Sequence, residues 1–417
     1  MAHLFFDLDR TLWHHERNHF RFFEALHAAR NWSEWGSSKE WAQSYLEIND
    51  RLWDHIQLHN LGVEYVRARR FPLLFKHMGI QGERSKEVEV LGAECERLLK
   101  EQLPDMGEGY DGVREAFEAL REAGWQVHWL GAPHSMEHDL VPTRGFAFEP
   151  VAFGGVRGKG IQTLALLPLR LLRAFWQSLQ VVRRVKPDVV LGLGGYISFP
   201  GGMMASLWGK PLVLHEQNSV AGMANRVLAG VADCIFTAFP NVLKKAVWVG
   251  NPLRQDFLNK PSPAERFADR TGPLKLWVVG GSLGAQALNE IVPKALALMP
   301  EHKRPAVVHQ SGAKQIDSLR SNYEKAGVQA ELTPFIEDTA QAFAQADLII
   351  CRSGASTVTE IAAVGAAAIY VPFPFAVDDH QTTNAQFLVA RGGGWLMPQA
   401  DLTPQALADK LESITRE

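Results

Sequence analysis

Several things are scarce in this sequence, and each absence excludes something. There are only three cysteines (Cys95, Cys234 and Cys351), widely separated and without metal or disulfide spacing, which fits a reducing compartment. No stretch reaches the roughly 18 uninterrupted apolar residues of a membrane-spanning helix. Asp7 and Asp9 interrupt the only apolar run near the start, which argues against a signal peptide. Excess charge is missing too: the net charge is −3, so no global basic character points to nucleic acid. Internal repeats and low-complexity tracts are absent. What is present is an ordinary globular balance, with 46% hydrophobic and 21% charged residues in a 417-residue chain. That is enough material for two or three domains. The chain reads as cytoplasmic, or at most as attached to a membrane surface.

Residues 14–103 are aromatic-rich, full of charges and poor in Gly and Pro, a helical texture. Trp32, Trp35, Trp41 and Trp53 fall here, and such residues more often fill a helical core than form a binding box. From Tyr110 onward the texture changes. "GVREAFEALREAG" is an amphipathic helix closed by Gly124, and "WQVHWLG" a short strand after it. Apolar runs then alternate with helical stretches: "PDVVLGLGG", "KPLVLHEQ", "ADCIFTAF", "KLWVVGGS", "PAVVHQSG", "ADLIICRSG" and "AAAIYVPFPF". This is the rhythm of parallel sheets with ligand loops at the carboxyl ends of the strands. A Pro- and charge-rich stretch places a domain boundary near residues 255–272.

In "LKLWVVGGSLGAQALNEIVPKAL" a strand from Leu274 to Val279 runs into Gly280, Gly281, Ser282 and Gly284, then into a helix. Glycines let the backbone approach a diphosphate, and the free N–H groups of a helix start favour its charge. A tight turn without a ligand could carry the same glycines, but strand and helix together favour phosphate. "GLGGYISFPGG" (Gly192 to Gly202) and "CRSGASTVTEIAA" (Cys351 to Ala363) are two further loops. In the second, Thr359 and Glu360 near a helix start also fit simple capping.

Taken in order, "GLGGYISFPGG", "LHEQNSVAGMANR", "VGNPLR", "VVGGSLGAQALN", "CRSGASTVTEIAA" and "VPFPFAVDDHQTTNA" resemble the MurG family of peptidoglycan glycosyltransferases, from about Gly124 to the end. The resemblance implies transfer of N-acetylglucosamine from UDP-N-acetylglucosamine to lipid I, giving lipid II, by an inverting, metal-free GT-B enzyme. It puts the donor site on Asn218, Arg254, Ser282, Ile336, the run Ala355, Ser356, Thr357, Val358, Thr359 and Glu360, and Gln381. Arg254 and the Ser282 loop suit the charge of UDP, and Glu360 can accept from ribose hydroxyls. His215 and Glu216 fall near the expected cleft, each also readable as structural. The catalytic base is therefore unassigned.

Pro150 to Pro187 contains no acidic residue but seven basic ones: Arg157, Lys159, Arg170, Arg173, Arg183, Arg184 and Lys186. Leu164, Leu167, Leu171, Phe175 and Leu179 recur there at helical spacing. A core-facing helix would show the same spacing. The missing acids favour a segment lying on anionic lipid. The resemblance implies the same, with a peripheral location on the cytoplasmic face of the bacterial inner membrane.

The opening "FFDLDRTLW" resembles motif I of the haloacid dehalogenase (HAD) superfamily, and the helices after it look like the cap of a pyrimidine-nucleotidase-like member. That resemblance implies Asp7 as nucleophile, Asp9 as acid and base, and Mg²⁺ shared by Asp7 and a later acidic pair. The remaining motifs are missing. "WQVHWLGAP" ends in Leu130, Gly131 and Ala132, where the second motif needs Ser or Thr, and Asp378 and Asp379 belong to the glycosyltransferase motif. The chain therefore reads as a hybrid: α/β, two Rossmann-like domains of GT-B type with a helical HAD-cap-like insertion near the N-terminus. Residues 1–123 complete the first domain, 124–255 form its remainder, and 256–417 form a donor-binding domain truncated at its end. The hybrid lacks the family's Gly-Gly-Thr-Gly-Gly-His loop, so transfer is expected to be impaired while donor binding persists. The alternatives are a Mg²⁺-dependent phosphatase using Asp7 and Asp9, and a catalytically silent UDP-sugar-binding protein.

Overall fold

The computed structural model describes residues 2–6, 15–30, 32, 36–59, 63–80, 90–98, 119–120, 122–133, 135–153, 166–281 and 284–415. The sequence places boundaries at residue 123, where the two resemblances meet, and near residues 255–272, where composition changes. Packing groups the chain into two compact units, one of Met1–Val190 with Gly195–Lys210 and the other of Leu191–Gly194 with Pro211–Glu417.

The first unit carries the aromatic helices: His15–Arg30, Ser38–His59, Val63–Arg67, Arg70–His77 and residues 90–98. The second of them is started by the "SSKE" sequence. The Glu40 amide donates to Ser37 Oγ at 3.3 Å while the Ser37 amide donates to the Glu40 carboxylate at 2.7 Å. This reciprocal cap satisfies donors that an isolated helix start leaves open. Their apolar faces meet in one core. Trp32 and Trp41 stack with centroids 4.5 Å apart, and Phe75 meets Trp32 edge-on at 5.8 Å. Those two tryptophans are core. Trp35 lies outside the described residues, as does the side chain of Trp53. Arg70 forks onto Glu96 and also donates to Asn49, so this buried charge is paired.

Strands β1 (Ala2–Phe6), β2 (Trp125–Gly131), β3 (Ala147–Pro150) and β4 (Val189–Gly192) lie in the order β3-β2-β1-β4. All are parallel, and Phe5 is opposite both His128 and Val190. The opening apolar run is therefore an inner strand. Asp7, Asp9 and Thr11 at its end lie outside the described residues.

The basic segment requires a correction. Its helix runs Leu167–Val185 and buries Ala174, Ser178, Val181 and Val182. Leu167, Leu171, Phe175 and Leu179, expected on the outer stripe, are partly covered, with Phe175 against Phe199 at 5.5 Å. The exposed stripe is instead Leu166, Leu169, Leu172 and Trp176, with Leu169 64% and Trp176 61% exposed. Both rows obey 3.6-residue spacing, so periodicity does not choose between them; the helix Ser198–Leu207, which carries Phe199, does. Leu164, Arg157 and Lys159 lie outside the described residues.

The second unit contains β5 (Leu212–Glu216), β6 (Cys234–Thr237) and β7 (Val247–Trp248), paired in parallel. It also contains β8 (Lys275–Val279), β9 (Ala306–Gln310), β10 (Glu331–Thr333), β11 (Leu348–Cys351), β12 (Ala367–Tyr370) and β13 (Gly394–Leu396). These six form a parallel sheet ordered β10-β9-β8-β11-β12-β13. All four residues of β11 are buried, as a central strand covered on both faces requires. One face is covered by the helices Gln286–Leu298 and Pro404–Glu412 and the other by Thr339–Gln345 and Ala355–Val364. Parallel strands deliver their loops to one edge, and the sequence motifs occupy that edge.

Candidate functional site

The loop after β8 is shaped by its glycines. A Cβ on Gly284, where φ is +73°, would overlap the Ser311 carbonyl, and one on Gly280 would overlap the Ala285 amide. Only glycine fits both places. The following helix, Gln286–Leu298, has no side-chain cap at Ala285. Ser282 itself lies outside the described residues.

The loop after β11 leads to the helix Ala355–Val364, whose N-cap is Gly354, with no side chain closing its start. The capping alternative for Thr359 and Glu360 is thus corrected. Thr359 Oγ1 donates back to the Ala355 carbonyl at 2.8 Å and accepts from Asn251 Nδ2 at 3.1 Å. Glu360 lies 3.6 Å from Arg254. Burial pushes its carboxyl up to about 7, against the pull of the Arg254 guanidinium. The uncapped residues Ala355, Ser356 and Thr357 present backbone donors with the positive end of the helix behind them.

Residues far apart in sequence interlock here. The Asn218 amide donates to Glu216 at 3.0 Å, and Asn218 Oδ1 accepts from Asn384 Nδ2 at 3.3 Å. Asn384 Oδ1 accepts from the Ser219 amide at 2.8 Å and its Oγ at 2.7 Å, and Asn384 Nδ2 also reaches the Ser353 carbonyl. Gln381 Oε1 accepts from the Phe373 amide at 2.8 Å. Ile336 packs in the apolar cluster that holds Ala355 and Val358. Arg254 Nε, beside Glu360, and Asn251 Oδ1, beside Thr359, are buried with no hydrogen-bond partner, as is Ser353 Oγ next to the Gly354 N-cap. Unspent capacity of this kind is what a polar ligand would use.

Of the named donor residues, the structure joins Asn218, Arg254, Ile336 and Ala355 to Glu360 through these contacts and holds Gln381 against its neighbouring loop. It adds Asn251, Ser353 and Asn384, which sequence reading passed over. Asn384 lay inside the quoted "DDHQTTNA", three residues after Gln381, one helical turn along the same face.

The ambiguous pair resolves toward structure. Glu216 is buried and accepts from the amides of Asn218 and Gly222 and from Asn225 Nδ2 at 2.9 Å. His215 Nε2 donates to the Gly250 carbonyl at 3.0 Å. Asp378 and Asp379 are also engaged, with Arg226 and Thr382.

Glycine-bearing loops and an uncapped helix start at the carboxyl ends of parallel strands define the doubly wound α/β class, which binds its ligands at that edge. Residues 116–237 match the Glycosyltransferase family 28 N-terminal domain, and residues 275–417 the corresponding C-terminal domain. A UDP-N-acetylglucosamine--N-acetylmuramyl-(pentapeptide) pyrophosphoryl-undecaprenol N-acetylglucosamine transferase of Polaromonas sp. (strain JS666 / ATCC BAA-500) is 74% identical over 304 residues, covering 72% of this chain and 79% of that protein. A protein of the same name from Ralstonia nicotianae (strain ATCC BAA-1114 / GMI1000) is 64% identical, covering 71% of this chain and 82% of its own. The solved structure of Acinetobacter baumannii MurG has a TM-score of 0.63 and 37% identity, with 72% and 85% of the two chains covered. The chain belongs to glycosyltransferase family 28, among its MurG-type N-acetylglucosaminyltransferases.

Proposed function

We propose that this protein transfers N-acetylglucosamine from UDP-N-acetylglucosamine to lipid I, producing lipid II for peptidoglycan. One observation carries the reading: the uncapped start of the Ala355–Val364 helix, flanked by the Arg254–Glu360 pair and by buried polar atoms without partners. The relatives' names supply the substrates. Residues 256–417 would form the donor domain. The acceptor hydroxyl would attack the anomeric carbon in line, inverting it. UDP would leave toward the glycine loop and the helix start, whose dipole and N–H groups stabilise the departing charge without a metal. Glu216 and His215 hold the loops in place and are not assigned as the base.

The exposed row Leu166, Leu169, Leu172 and Trp176, with Arg170 and Arg173 exposed beside it, supports docking on an anionic membrane surface. No helix among the described residues is long and apolar enough to cross a membrane, and the proposed location is peripheral, on the inner face. For residues 1–123 the matched family begins only at residue 116, and no observation favours the phosphatase reading over transfer.

A thermal-unfolding titration with UDP-N-acetylglucosamine, against a UDP-glucose control, tests the donor site. A ligand that binds only the folded protein adds about 2.7 kcal/mol at a hundredfold excess over Kd, so a selective rise in Tm is expected. Transfer to lipid I would then be assayed directly. A folded sample with no rise would sink the proposal.

A further inference from the structure

Gln310 ends β9, with Val279 of β8 opposite it on one side and Thr333 of β10 on the other. It is buried, at 3% exposure. Its side-chain Nε2 donates to the Gly281 carbonyl at 3.0 Å and to the Pro334 carbonyl at 2.9 Å. A flipped amide would set its oxygen against both carbonyls, so the partners decide the orientation. Gly281 belongs to the glycine loop, and Pro334 stands two residues before Ile336. The side chain therefore bridges two separate loops of the donor site.

The strands do not need this amide. Their ladder closes through the backbone, with the Ser311 amide bonded to the Thr333 carbonyl at 3.0 Å and the Gly280 amide to the Gln310 carbonyl at 3.4 Å. An apolar side chain would fill the same volume and bury no amide of its own, leaving only the Gly281 and Pro334 carbonyls without this donor, whereas Gln310 Oε1 is buried with no partner. Burying such an atom is costly.

We propose that Gln310 is a positioning residue that clips the glycine loop to the loop carrying Ile336, setting the distance between them for a nucleoside diphosphate that spans both. This rests on the donor-site reading above. Glycines and helix N–H groups suit the diphosphate end, and the apolar surround of Ile336 suits the flat base. A clip of this kind acts on a ligand that engages both loops at once, because the second contact is then intramolecular. It does little for a ligand that engages one loop.

The test compares Gln310→Met, which keeps length and removes both donors, with Gln310→Glu, which turns an acceptor on two carbonyls. Affinities for UDP, for uridine and for inorganic diphosphate are measured by calorimetry, with Tm measured without ligand. Two lost hydrogen bonds predict a UDP affinity lower by about tenfold in Gln310→Met and by more in Gln310→Glu. Uridine and diphosphate should each shift by less than about twofold, and KM for UDP-N-acetylglucosamine should rise with kcat retained. Equal losses for UDP and uridine, or no loss in either variant, would overturn the clip. Should Gln310→Met fail to fold, Gln310→Asn, which keeps the amide but withdraws it by one methylene, gives the same comparison. Failure of the wild-type protein to bind UDP would overturn the donor-site reading itself, an outcome distinct from a wild type that binds UDP and a variant that binds it equally well.

Discussion

Replacing Glu360 by glutamine should remove a pH dependence of stability that the fold builds in. The carboxyl lies 3.6 Å from Arg254, yet burial outweighs that attraction and raises it from 4.5 to about 7. Between those values the folded protein holds a proton that the unfolded chain has released. Stability therefore falls as pH rises through this window. The benefit of the neutral form is complete below about 4.5 and gone above about 7. At about 1.4 kcal/mol per unit, the interval sets an upper bound of about 4 kcal/mol. Glutamine stays neutral throughout, so its stability should not share this slope. Urea unfolding from about pH 5 to about pH 8 is the assay. Wild type should lose ground to Glu360→Gln most steeply between about pH 5 and about pH 6.5, with the difference levelling off above about 7. Parallel curves would refute the reasoning, because the buried carboxyl would then be ionised at no cost.

Other outcomes follow from the same geometry. Gly284→Ala should displace the glycine loop, since its Cβ would overlap the Ser311 carbonyl; UDP affinity by calorimetry should fall by about tenfold or more. Asn384→Ala removes the acceptor of Ser219 and the donor to Asn218, which should cost about 2 to 4 kcal/mol in denaturant unfolding. Asn384→Asp keeps the acceptor of Ser219 but buries a carboxylate oxygen against the Ser353 carbonyl, so it should cost at least as much. Leu169→Glu combined with Trp176→Glu should lower sedimentation with anionic vesicles by about tenfold and leave Tm unchanged, because both side chains are exposed. Unchanged sedimentation would remove the membrane face.

The motif edge was legible in the sequence because glycine loops leave a local signature. Gly280 and Gly284 tolerate no Cβ, and strand-to-helix turns that need this are recognisable by composition alone. The parallel α/β class was legible for the same kind of reason, since apolar runs and amphipathic helices alternate along the chain. The exposed stripe proposed to meet the membrane was legible only to within a rotation. Two rows of apolar residues share one helix, and Phe199, a neighbour in space, decides which row is covered. Glu216 and His215 could not be sorted from sequence either, because Gly222, Asn225 and Gly250 stand in the quoted motifs without any sign of which side chain they bond.

The sequence by itself determined the class of fold, the loops proposed to face a diphosphate and the family, since each depends on neighbours within a few residues or on ordered motifs. Only the tertiary structure decided that Asn384 locks Asn218 and Ser219, that Arg254 meets Glu360, and that Gln310 ties two loops together. Those pairings join residues from separate strands and helices. Hydrogen bonds and burial of that kind exist only once the sheet has set the distances.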